Sequence, residues 1–318
     1  MYGSHAKKLH EQTAFQEIVV EISARQLSAK SDALRQMSVF LTQAIFLEVC
    51  VHPKPGLVTR SSNGSHTDMS ILTFAAGSAV LAKAFTELQD LGMRHTGSSQ
   101  ELFGKVRSYG IKAEQELLQA TKGVNTQRGI LFAGGLVAAA AGVALKEGLN
   151  GTKTLCRIIA EMTKGLVANE LDGLTADRKL TAGEELYRAY GITGIRGEVE
   201  DGFPSVRQAG LPALQEAFAQ GANLNDALLH TLLNLMTVVQ DSNVIWRGGY
   251  AKLTLVQQRA REILSLGSVF TAVGRNLVAA TEAMFRAERI SPGGSADLLS
   301  VTAALYLLEN KEFPVAII

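Results

Sequence analysis

Sixteen consecutive residues, ILFAGGLVAAAAGVAL from Ile130 to Leu145, carry no polar side chain. A helix with no polar face has to be enclosed on every side, so the rest of the chain must wrap around it. The run is shorter than the roughly 20 residues a membrane span needs, and its alanines and glycines suit close helix packing. The expectation is a buried central helix. From Gln36 onward, segments such as MSVFLTQAIFLEVCV, ILTFAAGSAVLAKAF, LLHTLLNLMTVV and TEAMFRAERI repeat apolar residues at helical spacing, and no series of alternating strands appears.

The fold class is therefore all-α, a single domain over residues 35–318 with about ten helices. Helices are expected near 36–52, 68–91, 98–121, 127–147, 152–170, 181–190, 211–220, 223–241, 249–266, 268–288 and 292–309. Residues 1–34 form a polar N-terminal extension, read as poorly ordered or as a short helix, with no chemical motif. With 47% hydrophobic residues in 318, the chain has ample material for one large core.

A formal net charge of +1 with scattered Lys and Arg argues against nucleic acid or an anionic membrane as partner. Cys50 and Cys156 both lie in apolar helical patterns, which points to buried free thiols, no disulfide framework and a reducing cytoplasm. No N-terminal segment reads as a secretory leader.

The loops carry the chemistry. PKPGLVTRSSNGSHTDM (53–69), GVNTQRG (123–129), YGITGIRGEVEDGFPSV (190–206), QDSNVIWRGG (240–249) and SPGGSADLL (291–299) each mix glycine with charged, amide or hydroxyl groups. That composition is expected where backbone approaches a polar ligand closely. In the first, prolines and glycines shape the turn and Thr67 can cap the next helix, but Lys54, Arg60, Asn63, His66 and Asp68 also converge there, with Glu48 on the helix feeding them. His52 and His66 taken singly read as hydrogen-bonded structural residues.

SPGGSADLL reads as a helix start, with Ser291 as cap, Gly293 and Gly294 presenting amides and Asp297 one turn in. Such an end can serve as a plain cap or as a phosphate site. Asp241 and Asn243 offer oxygen ligands suited to Mg²⁺, with Arg247 beyond them and Trp246 read as packing. Arg196, Glu198, Glu200 and Asp201 crowd between four glycines (191, 194, 197 and 202). No Walker A pattern, dinucleotide fingerprint, zinc cluster or nucleophile elbow is present in the sequence.

Taken together, PKPGLV with NGSHTDM, GVNTQRG, LTAGEELY, GITGIRGE with GFP, DSNV with RGG, and SPGGSADLL, in that order over about residues 48–299, resemble the triphosphoribosyl-dephospho-coenzyme A synthase family. That family makes the prosthetic-group precursor of citrate lyase and of malonate decarboxylase. Thr59 stands where the family pattern has aspartate. The resemblance implies a transferase that joins ATP to 3′-dephospho-CoA: the acceptor ribose 2′-hydroxyl attacks C1′ of the ATP ribose, adenine leaves and the triphosphate is kept.

On that basis the expected acid and base are Glu48 and Glu198, as paired carboxylates serve glycoside chemistry. Asp68, Asp241 and Asp297 are expected to hold Mg²⁺. Lys54, Arg196, Arg247 and the amides of Gly293 and Gly294 are expected on phosphate, with Asn63 and His66 as further substrate contacts. The expected partners are ATP and 3′-dephospho-CoA, a transient hand-off to the transferase that loads the acyl carrier subunit, and a second copy in a homodimer. Two other readings stay open at this point. A nucleotide N-glycosidic-bond hydrolase would release adenine without a coenzyme adduct, and a non-catalytic nucleotide-binding scaffold would bind ATP without releasing adenine.

Overall fold

A computed structural model describes residue 32 and residues 35–172 and 180–317. The N-terminal extension lies outside them apart from position 32. No strand occurs among the described residues, as the apolar periodicity requires. The order is residues 35–50 (α1), Ile71–Arg94 (α2), Ser99–Ala120 (α3), Arg128–Glu147 (α4), Thr152–Thr163 (α5), Leu166–Leu171 (α6), Ala182–Tyr190 (α7) and Ile195–Glu200 (α8). A π-helical turn, Val206–Gly210, leads into Leu211–Ala219 (α9), Leu224–Val238 (α10) and Ser242–Ser265 (α11). A 3₁₀ turn at Ser268–Phe270 precedes Ala272–Ala287 (α12) and Gly293–Asn310 (α13).

The ends of these helices follow from local chemistry. Ser98 with Glu101, and Thr181 with Glu184, form capping boxes at α3 and α7, and Asn223 caps α10 through the Asp226 amide. LTAGEELY is thus in part a helix-start signal. The helix expected over 152–170 is two helices, broken at Gly165, whose φ of 82° no α-helix accommodates. The break expected before 249 is instead a kink inside α11 at Gly249. Helix α2 begins at Ser70 and Ile71, so Thr67 does not cap it. Short α8 falls in a stretch read from sequence as loop.

Helix α4 is the axis. Ala133 and Leu136 to Ala141 are completely enclosed, with α2, α3, α5 and α13 packed around them. Its contact with α2 is the most extensive among α2 to α13 and is a backbone contact. A Cβ on Gly92 would lie 2.0 Å from the Ala139 carbonyl oxygen, and one on Gly142 would lie 2.0 Å from that of Gln89. Only hydrogen fits at either place. By length and composition α2 and α4 are both able to cross a membrane. The helix grown from the apolar run has 20 residues, so it is enclosure within the protein, and not shortness, that sets α4 apart from a span.

Cys156 is buried and free, and desolvation pushes its thiol up to about 11, which leaves it unreactive. Cys50 is also unpaired.

Gly92→Ala and Gly142→Ala should each lower stability by about 1–3 kcal/mol or more, read from urea unfolding midpoints, because the inserted methyl forces α2 and α4 apart. An unchanged midpoint in both would show that the interface yields freely.

Candidate functional site

The stretch Pro53–Met69 is fastened on three sides. The side chain of Asn225 on α10 donates to the His52 carbonyl and accepts from the His52 amide, both at 2.9 Å, beside a cis His52–Pro53 bond. The Gly56 amide donates to Glu282 on α12 (2.9 Å), and the Ser65 hydroxyl bonds the carbonyls of Phe285 (3.1 Å) and Ile290 (2.5 Å). A segment held at this many points is a wall and not a link.

Behind that wall Lys54 is almost fully buried and donates to both the carboxylate and the carbonyl of Glu48, the latter at 2.7 Å. Burial pushes the Glu48 carboxyl upward, against the pull of the ammonium.

Asp241 ends the α10–α11 connection and caps two helices. One oxygen accepts from the amides of Asn243 (3.1 Å) and Val244 (3.4 Å) at the start of α11. The other accepts from the amide (2.8 Å) and hydroxyl (3.1 Å) of Ser295 in the first turn of α13. Burial raises its pKa and these donors, with the Gly294 amide, oppose the rise.

Asp297, one turn into α13, lies over the first turn of α4. A Cβ on Gly129 would sit 1.9 Å from its carboxylate oxygen, so Gly129 is the residue that lets this carboxylate in. Its pKa is well above the carboxylate range, first through burial and then through the like charges of Glu48 and Asp241, opposed by a bond from the Ile130 backbone.

Three adjoining cavities surround these groups. The largest, about 700 Å³, runs from α3 past Asn125 and Thr126 to Arg196 and Glu198 on α8 and to Asp241, Asn243 and Asp297. A small one of about 90 Å³ is lined by Glu48, Lys54, His66, Arg247, Ser291 and Asp297, among others. Asn125, Thr126, Asn243, Gly293 and Asp297 face both. A third, about 430 Å³, lies beyond His66, Arg247 and Ser291 and is also lined by Asp68, Lys252 and Arg289. The series has the size of a ligand site and its polar groups converge at the junctions.

Glu198 opens on the largest cavity; burial raises its pKa, while the Ser205 hydroxyl and amide hold its charged form. Arg196 also faces that cavity, donating to Glu170 at 2.8 Å, and Arg107 pairs with the same carboxylate. His66 bonds Ser291 through Nε2 at 2.8 Å, and burial and the nearby Arg247 lower its pKa, so the ring is neutral near pH 7. Its buried Nδ1 lies 3.7 Å from Asp68 Oδ1, beyond hydrogen-bond distance, and among the described residues Thr126 Oγ1 and Gln127 Oε1 also lack a hydrogen-bond partner.

Several expected residues are differently employed. The side chain of Asn63 is exposed and lines none of the three cavities, because the turn carries it outward. Asp68 is 59% exposed and belongs to the outer cavity, not with Asp241 and Asp297. Lys54 is committed to Glu48. The Gly293 amide bonds the Ser291 carbonyl (2.9 Å) and that of Gly294 turns to Asp241, so neither is a free phosphate ligand; Ser291 serves His66 and does not cap α13. Thr59 lines none of the cavities: its hydroxyl meets His52 (3.1 Å) and the Ser61 amide (3.1 Å) and braces the turn.

Among the described residues no three His, Cys, Asp or Glu side chains are grouped to hold a metal by themselves. Asp241 has its oxygens occupied by donors and Glu48 is held by Lys54, which leaves Asp297, of these three, as the carboxylate able to share a cation with ligand oxygens. Mg²⁺ commonly takes one or two carboxylates with phosphate oxygens and water, and the site fits that mode. Asn125, Thr126 and Gly129 come from GVNTQRG, visible in sequence without assigned roles; Arg107 and Glu170 sit on ordinary helical surface patterns and gave no signal.

Comparison with known proteins adds the chemistry. The family model described as CitG, ATP:dephospho-CoA triphosphoribosyl transferase, matches residues 34–313. A protein of Malonomonas rubra is 41% identical over 281 residues, covering 87% of this chain and 89% of its own. One from Pectobacterium carotovorum is 42% identical over 277 residues (86% and 90%). Both are named probable 2-(5″-triphosphoribosyl)-3′-dephosphocoenzyme-A synthases. A Pectobacterium atrosepticum protein, 42% identical over 268 residues (84% and 87%), has the same name unqualified. No solved structure matches the chain.

Two outcomes follow from the buried charges. Lys54→Met should cost about 3–5 kcal/mol in denaturant unfolding, and adding Glu48→Gln should recover most of it, because the loss is that of a stranded charge. Asp297 has a raised folded pKa, so its contribution to stability is full below the ordinary value of 3.8 and is lost as pH rises through its own pKa. Asp297→Asn should therefore melt higher than the wild type near neutral pH, with the gap closing on acidification; a gap independent of pH would contradict the burial argument.

Proposed function

Because this chain belongs to the ATP:dephospho-CoA triphosphoribosyl transferase family, we propose that its three adjoining cavities are the donor and acceptor sites of that reaction. The protein is a transferase that joins ATP and 3′-dephospho-CoA into 2′-(5″-triphosphoribosyl)-3′-dephospho-CoA and releases adenine. The observation that carries the site reading is the wall of Asn125, Thr126, Asn243, Gly293 and Asp297, common to the large and small cavities. Two substrates in separate chambers would meet there.

The outer cavity, with Arg247, Arg289, Lys252 and a neutral His66, suits the triphosphate of ATP. Arg247 has no carboxylate partner among the described residues, although Lys252 is paired with Glu288. The donor ribose would pass His66 into the narrow chamber, and the acceptor would occupy the large one. Glu198, facing the large chamber with a raised pKa, takes the proton of the 2′-hydroxyl as that oxygen bonds C1′. The C1′–N9 bond breaks, adenine leaves with the bonding electrons, and the proton taken up by Glu198 returns through solvent to the departing base, so neutral adenine is released. Glu48, raised by burial and bonded to Lys54, lies on the donor side of the junction, where negative charge favours the oxocarbenium-like transition state.

Asp297, at the junction of the large and small cavities, would hold Mg²⁺ together with substrate oxygens, and Asp68 is a carboxylate that lines the outer cavity with the triphosphate; the ion would supply charge neutralisation that keeps the donor still. A cytoplasmic setting, prosthetic-group synthesis for a citrate lyase or malonate decarboxylase, a hand-off of the product to the loading transferase, and a homodimer belong to the same proposal.

The test is mass-detected chromatography of protein incubated with ATP, Mg²⁺ and 3′-dephospho-CoA. Adenine and the triphosphoribosyl adduct should appear together, only with both substrates and only until Mg²⁺ is chelated. Glu198→Gln should lower kcat by about 10²–10⁴-fold with ATP binding kept. Adenine without adduct would replace the transferase reading by hydrolysis, and ATP binding without either product would replace it by a scaffold.

A further inference from the structure

We propose that the α3 wall of the large cavity, formed by Phe103, Val106, Gly110 and Ile111 and faced by Phe132, is the seat of the pantetheine arm of 3′-dephospho-CoA. The inference rests on the transferase reading and goes beyond it by dividing the acceptor site into a nucleotide end and an arm end.

Phe103, Val106 and Gly110 recur at spacings of three, four and seven, which puts them on one side of the helix, Ile111 flanks Gly110, and all four line the cavity. Val106 is buried, Phe103 and Phe132 are partly buried, and Ile111, a branched apolar side chain, is 56% exposed at the cleft.

Gly110 is the informative position. It lies in the middle of a 22-residue helix, where glycine is less favourable than alanine. At Gly92 and Gly142 a neighbouring backbone explains the missing side chain. At Gly110 a Cβ would meet nothing within 4 Å, so among the described residues no neighbour demands the glycine. The space above it opens into the cavity and suits a ligand that lies flat against the helix. Gly104 is equally uncrowded but does not line the cavity, and it carries no such argument.

Polar groups accompany the strip. Arg107, next to Val106, shares Glu170 with Arg196, and the two guanidinium groups are donors suited to the acceptor's pyrophosphate. Beyond Ile111, Glu114 pairs with Arg128 (2.8 Å), polar groups that match the amides of the arm. From Phe103 to Glu114 the helix runs about 16 Å, enough to lie beside an extended linear chain. ATP has no such arm, so the strip distinguishes acceptor from donor.

Gly110→Leu fills the space and Gly110→Ala half-fills it. Steady-state kinetics should show KM for 3′-dephospho-CoA raised about tenfold or more in the leucine variant and less in the alanine variant, with KM for ATP and kcat unchanged. Gly110→Ala should also melt higher than the wild type, since the helix gains propensity, so a loss of acceptor affinity cannot be laid to unfolding. If both variants keep the wild-type KM for 3′-dephospho-CoA, or if the two KM values rise together, the arm does not lie on Gly110. Should the leucine variant fail to fold, the alanine variant decides alone. A wild-type protein that makes no adduct would instead overturn the transferase reading, a result visible before any variant is made.

Discussion

The backbone contact between α2 and α4 fixes the position of everything else. With Gly92 against Ala139 and Gly142 against Gln89, the two helices approach as closely as main chains can, and α4 is locked in the middle of the domain. Its N-terminus then has one place to end, beneath Asp297 and beside Asn125 and Thr126. The junction between the cavities is thus at the end of the helix that this contact locks, which is where a group that must be held to a fraction of an ångström belongs.

Around that point the protein gathers carboxylates and answers each differently. Asp241 is satisfied by the starts of α11 and α13, and ties those helices together as it does so. Glu48 is answered by Lys54. Asp297 receives little, and the like charges nearby raise its pKa further. A carboxylate left so unfavourably placed is the kind of group that function retains at the expense of stability.

Much of the architecture was legible because apolar residues recur at a period only helices satisfy. Helix α8 was not. Its six residues are too few to nucleate alone, and its glycines and charges read as loop; packing against α5 and the Phe203 amide bonding back to Glu198 hold it in place. The break at Gly165 and the kink at Gly249 turn on a single φ angle each, which periodicity does not register. At the site, the polar loops were recognisable by composition, and Glu198, Arg196 and Asp297 do face one cavity. Composition gives proximity along the chain and not direction, so Asn63 counted as a site residue although the turn points it outward, and Asp68 was grouped with Asp241 and Asp297 although it lines the outer cavity. Arg107 and Glu170 stayed invisible because a charged residue on a helix surface is usually solvated, and only the fold brings α3, α6 and α8 to one cleft.

The enclosure of α4 also has an order in time. Part of its cover is α13, whose last residue follows that of α4 by more than half the chain, so at roughly 5–20 residues per second the ribosome delivers α13 about ten to thirty seconds after α4 is complete. During that interval an apolar helix of membrane-spanning length is covered by α2, α3 and α5, and then α8, but not yet by α13. The pairing through Gly92 and Gly142 can form in this time, because both partners emerge early. The contact that centres the finished fold is therefore also the one available to shield the nascent chain from aggregation and from mistaken delivery to the membrane.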